Sequence, residues 1–294
     1  MILSTHQVEE IAVPVRLSDY LIGKFEEIST RKGIKKAILH KRIQVNGHTA
    51  STGNWVRSGD VVTLLEGQFA KPKDFDLDLE IPYEDDYLAV VVKPSGIPVS
   101  GNLFKTLYNT LGENLKASTQ TDALPWPQPV HRLDAATSGL VIVAKTHAVR
   151  VRLGEMLAQK RIVKRYRAIL QGELSGSGFV ETPVGEKEAK TKYESVEIVH
   201  ALQETRLTLV DLYPLTGRTH QLRIHMASLG SPIVGDKLYH GEIAMKMDKG
   251  LFLCAVALSF PHPVTHDPVE VEIPQPAKFD SYLEREKKRV EKYN

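Results

Sequence analysis

Residues 131–145, HRLDAATSGLVIVAK, combine a basic pair, one carboxylate, a small polar turn and an apolar run. The apolar run 140–144 contains β-branched residues and is typical of a strand buried on both faces. Asp134 therefore lies on a loop just before a rigid strand, where a catalytic carboxylate can be aimed accurately. The alternative is that Asp134 only caps the turn that follows it, because Asp, Thr, Ser and Gly are common turn residues. This segment alone leaves both interpretations open.

Two later segments carry further candidates for chemistry. Residues 162–170 are predicted to form a strand in which Tyr166 lies on the face opposite the arginines beside it. A tyrosine in a strand is usually a core residue. Residues 214–230 are rich in arginine and histidine, and we expect a helix there that is capped by Thr219 and ended by Gly230.

The spacing of possible metal ligands does not favour a metal site. His220 and His225 are five residues apart rather than four, and no carboxylate supports them. The single cysteine, Cys254, excludes an internal disulfide and a site of clustered thiolates. Because it lies in the apolar run 251–258, it is predicted to be a small buried core residue. We therefore predict neither a metal ion nor a cofactor.

Length and composition indicate a soluble protein with a sizeable core and room for an accessory module. The chain has 294 residues, of which 42% are hydrophobic and 25% charged. No apolar run is long enough to span a bilayer and the first residues do not resemble a signal peptide, so we expect a cytoplasmic protein with no membrane partner. The net charge of +2 is small, but residues 31–42 are densely basic whereas residues 74–80 and 84–86 are acidic.

Residues 1–70 are expected to form a compact amino-terminal module. Apolar residues recur at helical spacing through 15–28 and predict one amphipathic helix. Thr30 is predicted to cap a second helix, the pair Asn46-Gly47 predicts a hairpin, and residues 61–65 a closing strand. The basic side chains on the outer face of the second helix are Arg31, Lys32, Lys35 and Lys36.

This order of a basic helix, a hairpin and Gly59-Asp60 before a strand resembles the alpha-L RNA-binding module of a small-subunit ribosomal protein and of many RNA-modifying enzymes. The resemblance implies that the four basic side chains face phosphates. Such a face gives salt-dependent and largely sequence-independent affinity for RNA. The alternative is an ordinary solvated helix face.

The remaining residues predict an α+β protein: a catalytic domain at 81–294 with a mixed, mainly antiparallel sheet and flanking helices, beside the small α/β RNA-binding module. The composition changes at 67–78, and residues 71–80 are predicted to be the linker. Within the catalytic domain we expect helices at 104–115, 146–161 and 282–293, a glycine-rich loop at 176–185, and strands at 190–199 and 204–213.

Three motifs together resemble the signature of the RluA-type pseudouridine synthase family. They are residues 131–140, the triplet Lys164-Arg165-Tyr166, and residues 216–225 with Gly235-Asp236. The similarity extends from about residue 81 to residue 277, and the whole architecture is similar to the members that act on ribosomal RNA. One departure is Cys254, which stands where the family's strand commonly carries His before Ala.

The resemblance implies an enzyme that flips a uridine out of RNA, breaks its bond from ribose to uracil N1 and rejoins the uracil through C5. Asp134 would be the catalytic carboxylate, acting covalently or as a base on the ribose. Tyr166 would stack on the uracil and assist proton removal at C5, and Arg223 would pair with Asp134. His131 and Arg132 would fill the vacated space and bind phosphate. The residues expected to bind substrate are His131, Arg132, Thr137, Arg218, His220, Gln221 and Leu222.

Two other functions are less well supported. An aspartyl-phosphate enzyme would need a magnesium site made of further carboxylates, and no Asp-x-Asp lies near Asp134. A non-enzymatic RNA-binding assembly factor would have no use for Asp134, Tyr166 and Arg223 together. We therefore expect an RNA partner, with ribosomal RNA favoured over transfer RNA, and a monomer.

Overall fold

The chain divides into two compact units, residues 1–70 and 71–294. The computed structural model describes residues 2–25, 28–65, 72–201, 206–240 and 250–293. The start of the predicted linker at Lys71 and the start of the strand predicted from residue 204 lie outside the described residues. In the part of the chain that is described, none of the helices has the length and apolar character that a membrane span needs.

The smaller unit is built on short antiparallel strands with two helices beside them. Its elements are β1 (Ile2–Gln7), β2 (Val15–Arg16), α1 (Leu17–Tyr20), α2 (Arg31–Leu39), β3 (Ile43–Val45), β4 (His48–Thr49), β5 (Trp55–Val56) and β6 (Val61–Leu65). The strands pair in the order β1-β6-β3-β4, and β2 pairs with β5. The core between them is formed largely by aliphatic side chains, with Phe25 as its one buried aromatic ring among the described residues.

The first helix is much shorter than its apolar spacing predicted. Leu17, Leu21 and Phe25 are buried at four-residue intervals, as a helix would bury them, but among the described residues up to Phe25 the α-helix ends at Tyr20. Gly23 adopts a φ of +73°, which a right-handed helix does not allow. Ile22 is 48% exposed, so it does not belong to the buried stripe. The spacing predicted the burial of Leu17, Leu21 and Phe25 correctly, but it overestimated the length of the helix.

The second helix and the hairpin of this unit are confirmed. The side-chain oxygen of Thr30 accepts a hydrogen bond from Gly33 N at 3.1 Å and caps α2. Asn46 and Gly47 have φ values of 50° and 78°, the left-handed pair that a tight two-residue hairpin turn requires. Asn46 Oδ1 also accepts from Val61 N at 2.8 Å, which ties the turn to β6.

The larger unit contains one extended sheet with helices beside it. Its elements are β7 (Tyr83–Glu84), β8 (Leu88–Lys93), α3 (Leu111–Asn114), β9 (Ala123–Pro129), β10 (Ser138–Thr146), α4 (His147–Ala158), β11 (Val163–Gln171), β12 (Ser177–Val180), β13 (Thr191–His200), β14 (Arg206–Pro214), α5 (Gln221–Ser228), β15 (Leu253–Pro261), β16 (Pro268–Glu272) and α6 (Ala277–Tyr293). A short 3₁₀ helix, Leu107–Thr110, precedes α3.

Ten strands of the described residues form this sheet in the order β12-β13-β14-β11-β15-β10-β8-β7, with β9 beside β10 and β16 beside β15. The pairs are antiparallel except for β10 with β15, where Ser138 faces Cys254 and Gly139 faces Ala255. This short parallel contact joins two antiparallel halves. The expected α+β fold with a mixed, mainly antiparallel sheet is therefore confirmed.

Gly139 allows the two halves to approach. It has a φ of +112°, and a Cβ atom built on it would lie 2.2 Å from the carbonyl oxygen of Ala255. Only glycine fits such a contact without moving one of the strands. The residues that follow, from Leu140 to Ala144, are fully buried. The strand behind the Asp134 loop is thus fixed on both sides, as its apolar run predicted.

Residues 72–80 differ from an isolated linker because asparagine side chains hold them to the larger unit. Asn109 Oδ1 accepts from Lys73 N at 3.1 Å and Asn114 Oδ1 from Leu79 N at 2.8 Å. Asn114 Nδ2 also donates to Leu77 O at 2.9 Å. These contacts span more than thirty residues of sequence, and no local pattern of the segment encodes them.

Two other predicted segments are also different in detail. The helix expected at 104–115 is reduced to the 3₁₀ helix and α3, because Thr106 caps the chain only at that point. The glycine-rich stretch 176–185 contains β12, in which Gly178 pairs with Tyr193. A Cβ on Gly178 would lie 2.8 Å from the hydroxyl of that tyrosine, so this glycine serves close packing rather than a loop.

We expect Gly139→Ala to destabilise the larger unit by roughly 3 kcal/mol or more, because the new methyl group overlaps the backbone of β15. Urea unfolding followed by far-ultraviolet circular dichroism measures this. The matched control is Gly154→Ala in α4, where a Cβ meets nothing within 4 Å, and alanine should stabilise the helix by about 0.5–1 kcal/mol. Equal stability of the two variants would contradict the steric argument.

Candidate active site

A pocket of about 130 Å³ opens where the Asp134 loop, β11 and the start of α5 meet. It brings together Asp134, Tyr166 and Arg223, which are far apart in the sequence. The residues that line it are Arg132, Leu133, Asp134, Thr137, Lys164, Tyr166, Pro214, Thr216, Gly217, Arg218, Thr219, His220, Gln221, Leu222, Arg223 and Leu253. Of the residues predicted for the catalytic site, His131 alone is outside this lining.

The carboxylate of Asp134 faces the pocket and does not close the turn that follows it. The turn is closed by the backbone carbonyl of Asp134, which accepts from Thr137 N at 3.0 Å. Oδ2 of the carboxylate lies 3.6 Å from Arg223 Nη1 and 3.6 Å from His220 Nε2. The side chain is 19% exposed. The structure thus separates the turn from the carboxylate and leaves the carboxylate for chemistry.

Arg223 lies beside Asp134, but its hydrogen-bonded partner is Asp236. Arg223 Nε and Nη2 donate to the two oxygens of Asp236, each at 2.7 Å, so that Nη1 is the nitrogen turned toward Asp134. Burial would raise the pKa of Asp236, but the hydrogen bonds from Arg223 and from Leu238 N and Tyr239 N lower it below the ordinary value. The expected direct pair is therefore a longer contact within a larger network. The motif Gly235-Asp236 had singled out Asp236 in the sequence, but the motif does not indicate that Asp236 is the partner of Arg223.

His220 precedes α5 in a left-handed conformation, with a φ of 57°. The predicted capping by Thr219 is wrong, because His220 occupies the cap position. Instead, the side-chain oxygen of Gln221 accepts from Arg218 N at 3.0 Å at this end of the helix. The unusual backbone places the imidazole of His220 with Nδ1 2.9 Å from the hydroxyl of Tyr239 and Nε2 toward Asp134. Such strain in a non-glycine residue is typical of functional sites.

Tyr166 lies on the pocket face of β11 and is 9% exposed. Burial raises the pKa of its phenol well above the usual range, and the charge of Asp134 raises it further. The protonated phenol is thereby favoured, and the stacking of Tyr166 on uracil and its assistance in proton removal at C5 stay predictions.

Gln221 is a structural brace, which differs from its expected contact with substrate. Its Nε2 donates to Lys190 O and to Thr191 Oγ1, both at 3.0 Å. Its Oε1 accepts from Thr216 Oγ1 at 2.7 Å and from Arg218 N at 3.0 Å. These four contacts use the full capacity of an amide. The residue is 3% exposed, so it holds the wall of the pocket in place.

His131 and Arg132 have different environments. His131 Nε2 accepts from Ile142 N at 3.0 Å, and burial, aided by the nearby charge of Lys164, lowers the pKa of His131 to about 3. A neutral imidazole bound to β10 does not attract phosphate, so that expectation does not fit the structure for His131. Arg132 is exposed and lines the pocket, as a phosphate ligand would. Thr137 and Leu222 also line the pocket and are buried.

The lysine of Lys93-Pro94 is a part of the site that the sequence did not reveal. Lys93 is fully buried, and its Nζ donates to the carbonyls of Pro94 at 2.7 Å, Ile97 at 2.8 Å and Ala135 at 3.3 Å. It therefore joins the turn after β8 to the residue that follows Asp134. Burial lowers the pKa of Lys93 to about 8, against the opposing charge of Asp134. A lysine at the end of an apolar strand, just before a proline, was the available signal in the sequence.

The basic residues of α2 belong to the smaller unit. The side chains of Arg31, Lys32, Lys35 and Lys36 are all exposed. Arg31 Nη2 lies 2.8 Å from Asp19 Oδ1 in an ion pair that is open to solvent, so part of its charge is neutralised. The three lysines supply most of the positive charge of this face. Across both units, no group of three or more His, Cys, Asp or Glu side chains among the described residues could hold a metal ion.

The site can be compared with known proteins. The model of the family described as RNA pseudouridylate synthase matches residues 87–228. The ribosomal large subunit pseudouridine synthase D of Vibrio cholerae is 33% identical over 301 residues, which cover 92% of this chain and 91% of that protein. The chain belongs to the RNA pseudouridylate synthase family. The protein of the same name from Xanthomonas campestris is 33% identical over 277 residues, covering 76% of this synthase and 80% of the relative.

A solved structure agrees with this assignment. Human RNA pseudouridylate synthase domain containing 1 has a TM-score of 0.56 and 27% sequence identity, and the match covers 67% of this chain and 84% of that one. The family acts on RNA, so an RNA pseudouridine synthase is supported over a non-enzymatic assembly factor.

The buried lysine predicts how the stability of this synthase changes with pH. The folded chain has a Lys93 pKa of about 8, below the ordinary 10.5, so the unfolded chain binds more protons between these values and stability rises with pH. We expect the difference in unfolding free energy, wild type minus Lys93→Met, to increase from about pH 8 to pH 10 in urea titrations.

The control for this prediction is Lys192→Met. The pKa of Lys192 is raised by a hydrogen bond from its ammonium to half-buried Glu194, so the contribution of Lys192 is fully present below pH 10.5. The corresponding difference should stay flat over the same range. A flat difference for Lys93→Met as well would show that the Lys93 ammonium is not destabilised by burial.

Proposed function

We propose that this enzyme isomerises uridine to pseudouridine in the RNA of the large ribosomal subunit, with Asp134 as the catalytic carboxylate. The observation that carries the chemistry is a carboxylate with two nitrogen groups at 3.6 Å, in a pocket walled by a buried tyrosine. The names of the relatives from Vibrio cholerae and Xanthomonas campestris support the choice of RNA. Transfer RNA is the competing substrate, and the monomeric state and cytoplasmic location stay predictions.

The reaction is balanced without an oxidant, a reductant or a second substrate. The bond between ribose C1′ and uracil N1 breaks and a bond between C1′ and C5 forms, while C5 loses a proton and N1 gains one. Asp134 serves this exchange either by attacking C1′ or by removing a proton from the ribose. Both routes need a carboxylate held close to the sugar, and the short loop fixed to β10 supports this.

The pocket supports base flipping. Its volume of about 130 Å³ is on the scale of one pyrimidine base, and its lining includes the buried side chains of Tyr166, Leu222 and Leu253. A uridine in a helix or a stacked loop can enter only after it leaves its neighbours. Tyr166 offers a flat face on which the uracil stacks. Arg132, exposed beside the pocket, binds the phosphate that follows the rotated nucleotide.

His131, Gln221 and Lys93 support these groups without contacting substrate. His131 fixes the start of the loop to β10, and Lys93 fixes the residue after Asp134. Gln221 holds the beginning of α5, from which His220 and Arg223 project. A short catalytic loop that is held by hydrogen bonds at both ends keeps its carboxylate in place while the glycosidic bond is broken and re-formed.

The smaller unit binds RNA through α2 in this proposal. Lys32, Lys35 and Lys36 are exposed on one helix and each can neutralise a phosphate. Their arrangement beside an Asn-Gly hairpin supports the alpha-L RNA-binding module. This contact is independent of sequence, so it adds affinity for structured RNA while the pocket selects the base.

We expect Asp134→Asn to reduce pseudouridine formation on the order of a thousandfold or more, because the amide neither attacks the sugar nor removes its proton. Large-subunit ribosomal RNA and transfer RNA, both transcribed in vitro, are incubated with enzyme and mapped by carbodiimide-dependent primer-extension stops. Stops only in the ribosomal transcript support the proposed substrate.

The control is Asp78→Asn, an exposed position outside the pocket, which should keep wild-type activity. Equal stops for Asp134→Asn and wild type would reject the catalytic assignment. Stops only in transfer RNA would reject the proposed substrate and keep the chemistry.

For the basic helix, we expect the triple change of Lys32, Lys35 and Lys36 to Gln to weaken RNA binding and to reduce the slope of log K against log salt by roughly two, because each lost phosphate contact contributes about 0.7–0.9. Filter binding to the ribosomal transcript across a salt series measures the slope.

The matched control removes three charges from α6, by changing Lys288, Arg289 and Lys292 to Gln. These side chains are also exposed and lie outside the pocket. The slope of this control should remain near that of wild type. The same loss of slope in both variants would mean that net charge, and not the α2 face, governs binding.

A further inference from the structure

Tyr239 contacts three of the groups that surround Asp134. Its hydroxyl lies 2.9 Å from His220 Nδ1, and its ring lies under the guanidinium of Arg223, with Cζ 5.1 Å from the ring centroid. Its backbone N–H donates to Asp236 Oδ1 at 3.1 Å. One half-buried residue therefore orients both nitrogen groups that approach the carboxylate.

The hydroxyl of Tyr239 determines which nitrogen of His220 carries the proton. A neutral imidazole has one N–H, and the partner of the other nitrogen selects the tautomer. If the phenol donates to Nδ1, the proton is on Nε2 and points to Asp134. In the opposite tautomer, a lone pair on Nε2 would face a carboxylate oxygen at 3.6 Å, and the two would repel each other. The geometry favours the first arrangement.

The two nitrogen groups approach the same oxygen of Asp134. His220 Nε2 and Arg223 Nη1 are each 3.6 Å from Oδ2. We propose that Tyr239 is a positioning residue that holds His220 as an Nε2–H donor toward Oδ2, so that Oδ1 is the oxygen that reacts with the uridine. This inference rests on the proposed role of Asp134 as the catalytic carboxylate.

The ring of Tyr239 adds a second restraint on the same oxygen. A guanidinium over an aromatic face is attracted to it, and this contact keeps the plane of Arg223 fixed while Asp236 holds its edge. The direction of Nη1 is then set from two sides. Oδ2 thereby faces two fixed N–H groups at 3.6 Å, and rotation of the carboxylate would move it away from both.

The test uses Tyr239→Phe in the full-length enzyme, which removes only the hydroxyl and keeps the ring and backbone contacts. We expect turnover at saturating RNA to fall about tenfold, the upper range for one lost hydrogen bond between neutral groups, with KM and thermal unfolding unchanged. The spectroscopic readout is the nuclear magnetic resonance signal of ¹⁵N-histidine near pH 8, assigned with His220→Gln. In the wild type, Nδ1 of His220 should be unprotonated and Nε2 protonated. Tyr239→Phe should show a mixture of the two His220 tautomers.

Tyr213→Phe is the matched control. The hydroxyl of Tyr213 lies 3.2 Å from Glu194 Oε2, and the residue next to it, Leu212, shares the strand face of Tyr166, so Tyr213 points to the other face of the sheet. This variant should keep wild-type turnover and the wild-type signal of His220.

Several results would overturn the inference. One is a wild-type enzyme in which His220 carries its proton on Nδ1 or on both nitrogens. This measurement does not depend on the stability of any variant. Another is a folded Tyr239→Phe enzyme with wild-type turnover and tautomer while Asp134→Asn is inactive, which rejects the role of Tyr239 alone. Full activity of Asp134→Asn would instead reject the proposed function on which the inference rests.

Discussion

A guanidinium buried against a carboxylate by two parallel hydrogen bonds supports the whole pocket. Removing Arg223 and Asp236 from water is unfavourable, and two contacts of 2.7 Å together with two backbone N–H groups offset that loss. Because the guanidinium is planar, fixing two of its nitrogens also fixes the third. The direction from which the Arg223 guanidinium approaches Asp134 is therefore set by its salt bridge to Asp236, a residue outside the pocket lining. A lysine has no such geometry to transmit.

The chemistry-bearing residues of the pocket were accessible to sequence reasoning, and their supports were not. Asp134 stands before an apolar strand and Tyr166 alternates with charged neighbours, so periodicity places them on a loop and a strand, and the family resemblance implies that they share a site. His131 and Gln221 were expected at the substrate, yet their polar atoms satisfy backbone groups of other segments, Ile142 N and Lys190 O. Which partner a buried polar side chain finds depends on the folded chain, and the same residue types serve both purposes.

The fold also divides into features that local sequence patterns predicted and features that depend on contacts between distant segments. The alternating and apolar runs predicted β10, β11 and β13, whereas β12 was expected to be a loop. Thr30 and Asn46-Gly47 marked their elements because capping and tight turns have local chemical causes. The long first helix was overestimated because burial every four residues can also arise in a chain that turns, as at Gly23. The attachment of residues 72–80 depends on Asn109 and Asn114, and no local preference describes such distant contacts.

The parallel contact between β10 and β15 has a consequence for the order in which the enzyme becomes competent. Asp134 belongs to one antiparallel half of the sheet, whereas Tyr166 and Arg223 come from the other half or its helix. Each half consists mainly of neighbouring strands, but Ser138 and Gly139 meet residues more than a hundred positions later in the chain. Contacts of such long sequence separation close late in folding because the loop entropy must be lost first. Catalytic activity should therefore be the last property to return on refolding, after the secondary structure of both halves has recovered.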